Sequence, residues 1–225
     1  MWCVADLDDT YIARMEDVLA VYERPYSAAE PVVCVDEKPV SLHAEVRTPQ
    51  PASPGHIAKR DNEYRRQGVA NIFAVVEPKA GKHLSRVTPD RSALQFALTI
   101  QDLVLAYPFA RTIHLVMDNL NTHCRKSLID HLGEQEGDYI WNRLTVHHTP
   151  KHGSWLNQAE IELSLISRQC LGKRRIPTVE SLNTEVKRWT KDANRRTLRI
   201  NWHFTRKSAR KTFAYIKNIS RRSKD

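Results

Sequence analysis

Between positions 10 and 22, apolar residues recur at Tyr11, Ile12, Met15, Val18, Leu19 and Tyr22, the three-to-four spacing of one helical face. PYSAAEP at 25–31 breaks that pattern. PVVCV is then a short unbroken apolar run ending at Asp36, which suits a strand buried on both faces. Residues 46–68 are polar, with Pro49, Pro51, Pro54 and Gly55 early and RDNEYRRQG later. A connection of that length inside a compact domain is usually functional or mobile. Strands are predicted over 69–76 and 83–88, joined by the hairpin signal EPKAG. A long apolar-periodic helix follows at 92–107. Residues 112–117 form a second buried-type strand, and it too ends in an aspartate, Asp118. A helix over 122–132, a strand over 144–148, a polar loop and another helix complete the pattern. Beyond Pro177, helices are expected at 178–195 and 205–219, with Trp189 and Trp202 available to pack them down.

This order predicts an α/β fold: a mixed five-stranded sheet flanked by helices, followed by a basic helical C-terminal extension. If the two strands that end in aspartates lie side by side and parallel, Asp36 and Asp118 emerge together at one sheet edge. The helix after the fifth strand then carries Glu160 across to them.

Composition changes the picture in two ways. At 225 residues and 41% hydrophobic, the chain can bury one substantial core. No apolar run approaches the ~20 residues that span a bilayer, and the start, MWCVADLDD, is acidic rather than signal-like. The expectation is a soluble protein of the cytoplasm, associated with the nucleoid and not with a membrane. Cys3, Cys34, Cys124 and Cys170 are scattered without a CxxC pair, so small buried hydrophobes are expected rather than disulfides or a zinc knuckle. The net charge of +9 is unevenly placed: residues 168–225 hold 18 Lys+Arg against 4 Asp+Glu, whereas 1–167 hold 17 against 22. A whole segment of one sign points to a polyanion, most simply nucleic acid.

Each acid also has a structural explanation. Asp118 in DNLNTH suits a helix cap or an Asx turn, and Asp36 in VDEK suits the start of a turn before Pro39. Asn157 followed three residues later by Glu160 reads as a capping box. Jointly, three carboxylates converging on one edge repel one another unless a cation neutralises them. Hard oxygen ligands suit magnesium or manganese, and a pair of such ions about 4 Å apart serves in-line phosphoryl displacement.

VVCVDEKP, LVMDNLNTH and TPKHGSWLNQAEIE, in that order, resemble the acid triad of DDE transposases, specifically the bacterial insertion-sequence branch of the mariner superfamily. GVANIFAVVEP and DANRRTLRINWHFT extend the resemblance over nearly the whole chain. It implies a ribonuclease-H-like catalytic domain at 31–176, between a lead-in at 1–30 and the extension at 177–225. It places catalytic, metal-binding acids at Asp36, Asp118 and Glu160, with two magnesium or manganese ions. Gln158 and Ala159 stand where many relatives have Pro and Ile. Residues two apart on a helix differ by about 200° in direction, so Glu162 does not share the site with Glu160.

The implied activity is metal-dependent DNA strand cleavage and strand transfer. The implied partners are transposon ends, target DNA and a second copy in the active complex. The alternatives are a ribonuclease-H-like nuclease without strand transfer and a non-catalytic DNA-binding remnant. Relatives carry a helix-turn-helix region ahead of the catalytic domain. Because the resemblance starts at about the linker, either a separately encoded helix-turn-helix half or a truncated remnant is expected. Asn119, Asn121 and His123 are candidates to orient a metal-bound water or a phosphate, with Asn157 in support. Lys151, His152 and Ser154 are candidate phosphate contacts, as are Lys173, Arg174 and Arg175 in the basic segment. His147, His148, His152, His123 and Cys124 lack structural-zinc spacing. Trp155 reads as a loop anchor.

Overall fold

The computed structural model describes residues 7–215. Five strands, β1 (Val32–Glu45), β2 (Tyr64–Glu77), β3 (Lys82–Thr88), β4 (Ile113–Met117) and β5 (Leu144–His148), form one sheet in the order β3-β2-β1-β4-β5. The first three are antiparallel neighbours, and β4 and β5 run parallel to β1. This is the expected mixed sheet, and its residues sort by strand alternation. Val33, Val35, Phe73, Val75, Leu115 and Met117 face one side, while Cys34, Val76 and Val116 face the other.

The first side is covered by α2 (Ala93–Leu105), α3 (Arg125–Leu132) and α4 (Glu134–Asn142) through Phe96, Ile100, Leu103, Leu128 and Ile140. The second carries α1 (Asp9–Glu23), α5 (Ala159–Leu165), α6 (Val179–Arg195) and α7 (Arg206–Thr212) in two adjoining clusters. Met15, Val18 and Leu19 of α1 pack with Leu156, Ala159 and Ala209. Leu182 and Val186 of α6 pack with Ile72, Ala74 and Ile166. Both flanks of the central segment are thus built into its cores. Trp202 joins the first of these clusters and Trp189 the second. Among the described residues, no helix is long and apolar enough to cross a membrane. Cys34 and Cys170 are buried free thiols, and Cys3 lies outside the described residues.

Five elements, β1, β2, α3, α4 and α7, differ from the sequence pattern. β1 does not stop at Asp36: it continues to Glu45, paired with β2 down to Tyr64 through a bulge opposite Ser41–His43. That outer half of the ribbon is mostly exposed, so its side chains show no burial pattern, and the polar connection shrinks to 46–63. Helix α3 starts at Arg125 rather than at 122, because 118–123 are held in a turn. Helix α4 has no counterpart in the predicted elements. A Cβ on Gly137 would come within 2.8 Å of the α3 backbone at Leu128 and Ile129, so glycine is what lets the two helices close. Helix α7 ends at Thr212, and the rest of the predicted 205–219 helix falls largely outside the described residues, as does the basic run at 221–224.

Candidate active site

The parallel pairing of β1 with β4 sets Val32 opposite His114, Val33 opposite Leu115 and Cys34 opposite Val116. Two residues further along each strand stand Asp36 and Asp118. The register therefore brings both aspartates to the same edge of the same strand pair. They arrive there differently. Asp36 remains inside the β1–β2 ladder opposite Ala74, its Oδ1 accepting from the Glu37 amide at 2.9 Å, so it does not open a turn. Asp118 lies just past β4, and its Oδ1 accepts from the Leu120 amide at 3.3 Å. This is the Asx turn, not the helix cap, which falls at Cys124.

The third acid is placed by the loop after β5. The Thr149 amide donates to the Met117 carbonyl at 2.9 Å, and a Cβ on Gly153 would meet Pro150 Cγ at 2.5 Å, so only glycine allows this fold-back. A 3₁₀ turn at Ser154–Leu156 follows, pinned where Tyr22 Oη donates to the Leu156 carbonyl at 2.8 Å. Trp155 anchors the loop, donating to Tyr11 Oη at 3.3 Å.

Asn157 then makes the decisive bond. Its Nδ2 donates to the Val35 carbonyl at 2.8 Å, and its Oδ1 accepts from the Ala159 amide at 3.1 Å. It thereby staples the start of α5 to the residue preceding Asp36. The capping box does not form: the Asn157 amide is taken by the Ser154 carbonyl at 2.7 Å, which leaves the Glu160 carboxylate free of that duty. Glu162 is buried on another side of α5, its Oε1 2.8 Å from His83 Nδ1.

Asp36 carries the electrostatic signature of the site. Burial is the main cause that pushes its carboxyl up to about 7. Repulsion from Glu37, Glu160 and Asp118 adds to the rise, and the Glu37 amide opposes it. Burial likewise raises Glu37, with Asp118 adding and His123 opposing. Asp36 and Glu160 line one open recess with Lys38, Ser164, Ser167 and Arg168, and Lys38 Nζ donates to Ser167 Oγ at 2.7 Å. Asp118 lines the neighbouring recess with Arg14, Asn119, Lys151, His152 and Ser154.

All three acids offer oxygen donors, and their mutual repulsion on Asp36 is what a bound divalent cation relieves, so the donor chemistry fits magnesium or manganese. The side chains as they stand do not close on one point. Among the described residues, no three His, Cys, Asp or Glu side chains are gathered for an ion.

The remaining candidates separate. Asn119, Lys151, His152 and Ser154 border the Asp118 recess. Asn121 is exposed on the turn that follows. His123 points inward, stacked on Phe96 with ring centroids 4.4 Å apart, and so presents no face to water or phosphate. The other zinc candidates are dispersed. His147 bonds His114 and Asp17, His148 Nδ1 lies 3.2 Å from the Asp118 carbonyl, and His152 is exposed.

In the basic segment Lys173 is exposed, whereas Arg174 pairs with Glu185 at 2.9 Å. Arg175 is engaged by Glu45 and by the Asn62 and Glu63 carbonyls. Sequence reasoning missed Arg14, Lys38 and Arg168. Lys38 carried a signal, being two residues from Asp36 on the same strand face. Arg168 carried only the general signal of the basic segment it opens, and Arg14 had none.

The fold has known counterparts. The Mos1 mariner paired end complex with Mn matches with a TM-score of 0.56 and 16% identity over 85% of this chain and 58% of that one. A pre-cleavage Mos1 transpososome matches with a TM-score of 0.60 and 16% identity over 95% and 65%. The chain thus spans under two thirds of the length of these proteins, and at such identity the likeness establishes the ribonuclease-H-like fold alone. No curated protein matches by sequence. A family model described as DDE superfamily endonuclease matches residues 31–183, and the chain belongs to that family.

Proposed function

We propose that the chain is a transposase catalytic domain that performs metal-dependent DNA strand cleavage and strand transfer. The observation that carries this reading is the β1–β4 register. It aligns Asp36 with Asp118 at one sheet edge, while Asn157 fastens the Glu160 helix to the same strand.

Asp36, Asp118 and Glu160 would hold magnesium or manganese. When bound, a pair of such ions offsets the negative charge of a phosphodiester and polarises its P–O bonds. The chain itself supplies the rest. The Asp36 and Glu160 recess and the Asp118 recess give DNA an open approach, and Arg14, Lys38, Lys151 and Arg168 set cationic groups along them. Such groups hold phosphates without reading bases. Water attacks the end phosphodiester first, breaking its P–O3′ bond and leaving a 3′ hydroxyl on one side and a 5′ phosphate on the other. That hydroxyl then attacks a target phosphodiester at the same carboxylates, forming a new P–O bond as the target strand's 3′ oxygen leaves and takes up a proton. The Mos1 complexes are paired-end and transpososome assemblies, which supports a second copy and two DNA ends as partners.

The test is incubation of the chain with a terminal-repeat duplex, a target plasmid and Mg²⁺. Joined products support the proposal, and nicks alone reduce it to a nuclease. A second reading, DNA binding without catalysis, draws support from the carboxylates not being gathered on one point. DNA retention with no cleavage in either Mg²⁺ or Mn²⁺ would favour it.

A further inference from the structure

The second acid of the proposed site is held from behind. By strand alternation Asp36 faces the side of the sheet that carries α5, and Glu37 faces the opposite side, in line with Val33 and Val35. There it meets His123, whose ring is stacked on Phe96. His123 Nδ1 donates to Asp118 Oδ1 at 2.6 Å, and His123 Nε2 stands 3.6 Å from Glu37 Oε2. The exposure contrast decides how this chain of groups works: the His123 and Glu37 side chains are 3% and 5% exposed, whereas Asp118 is 35% exposed. Two groups are sealed in the core and the third reaches the surface.

Asp118 Oδ1 already accepts from both the imidazole and the Leu120 amide. Its orientation is therefore set, and Oδ2 is the oxygen left for a ligand. The ring itself has little freedom, with Phe96 on its face and Glu37 at its far nitrogen. Glu37 Oε2 is buried without a hydrogen-bond partner. An unpaired buried carboxylate oxygen is costly, and such a group in a folded protein calls for an explanation. The imidazole beside it supplies one.

We propose that Glu37 and His123 form a carboxylate–imidazole brace that positions the Asp118 carboxylate for a divalent cation, with Glu37 acting through His123. Resting on the reading of Asp118 as a metal ligand, this assigns positioning roles to two residues that do not touch the cation. Partners of this kind tune metal affinity by about 10–100-fold.

The experiment uses the full chain. Mg²⁺ is titrated into protein carrying ¹⁵N-labelled histidine, and Mn²⁺ affinity is measured by calorimetry for wild type, Glu37→Gln, His123→Phe, the double variant and Asp118→Asn. Phenylalanine keeps the stack on Phe96, and glutamine keeps the volume of Glu37. The brace predicts that Mg²⁺ moves the His123 ring nitrogen resonances and leaves those of His114 and His147 in place. A merely structural histidine would not respond in that way. Each single brace variant should weaken Mn²⁺ binding about tenfold or more, and the double variant no further than His123→Phe alone. Wild-type affinity in Glu37→Gln, or a double variant weakened by the product of the two single effects, overturns the brace. Should His123→Phe fail to fold, Glu37→Gln and the wild-type resonances still decide the matter. If Asp118→Asn abolishes binding while the brace variants do not weaken it, the metal reading stands and the brace falls. If Asp118→Asn changes nothing, both fall.

Discussion

Asn157 donates its side-chain amide to the main-chain carbonyl of Val35 at 2.8 Å, joining the start of α5 to the strand residue before Asp36. The bond spans 122 positions of sequence and is buried, so little else can substitute for it. Asn157→Asp replaces the donor with an oxygen that faces the carbonyl. We expect a stability loss of about 1–3 kcal/mol from the broken bond and the buried group left unpaired. The cleavage rate of the folded protein should fall about 100-fold, because a shift of about 1 Å in a reacting constellation costs that much. Thermal denaturation and a single-turnover cleavage assay measure the two effects. Full activity in a destabilised variant would leave Asn157 with a folding role only.

The two glutamates of α5 should divide cleanly. Glu160 is engaged by no side-chain hydrogen bond or ion pair among the described residues and repels Asp36, so Glu160→Gln should not destabilise the metal-free protein and should abolish cleavage. Glu162 faces His83, whose Nε2 donates to the Leu198 carbonyl at 2.9 Å. A glutamine there can donate to the remaining ring nitrogen. Glu162→Gln should therefore cost about 1–2 kcal/mol at most and leave cleavage largely intact. Equal loss of cleavage in the two variants would refute the assignment of Glu160. Ca²⁺ should support DNA binding but poor cutting, since its longer and looser coordination places a nucleophile less well.

The raised Asp36 carboxyl predicts a pH effect of definite sign. Its folded value of about 7 lies above the ordinary aspartate value of 3.8, so the folded state binds the proton more tightly than the unfolded state does. Stability of the metal-free protein therefore falls as pH rises between those two values. Asp36→Asn removes that loss and should unfold at a higher temperature than wild type at pH 8, with little difference at pH 4. Adding Mg²⁺ at pH 8 should stabilise wild type and not the variant. Melting curves at the two pH values check this, and a variant no more stable at pH 8 would count against the electrostatic account of the site.

The placement of the two aspartates of the candidate site was legible because both sit where hydrophobic runs stop. The runs ending at Asp36 and Asp118 mark adjacent parallel strands, and a parallel register carries residues at matching offsets to the same edge. Glu160 was legible only through its motif, because the bond that places it, Asn157 to Val35, links distant parts of the chain. The outer half of β1 was invisible for a related reason. Its strand state rests on main-chain pairing with 64–66, and of its side chains only Leu42 is fully buried, too few to make an alternating pattern. His123 was picked out by its nearness to Asp118, but its direction followed from the Phe96 stack, which local spacing does not encode.

The basic C-terminal segment is less available to DNA than its formal charge implies. Arg174 and Arg188 are paired with Glu185, Arg195 and Arg196 with Asp192, Arg206 with Glu23 and Arg210 with Glu16. Arg175 holds the base of the 46–63 connection through Glu45. Each phosphate neutralised by a cation steepens the fall of log affinity with log salt by about 0.9. Of the 173–175 cluster, only Lys173 projects as an exposed cation not already committed to a carboxylate. Replacing all three residues with Ala should therefore flatten the salt slope by about one unit, not by two to three. Lys38→Ala combined with Arg168→Ala, in the Asp36 recess, should flatten it by about two. Random and terminal-repeat duplexes should weaken alike, since backbone contacts carry no base code. Salt titrations of binding on both duplexes give the slopes. A larger change from the 173–175 cluster than from Lys38 and Arg168 would move the DNA path away from the carboxylate edge and onto the C-terminal segment.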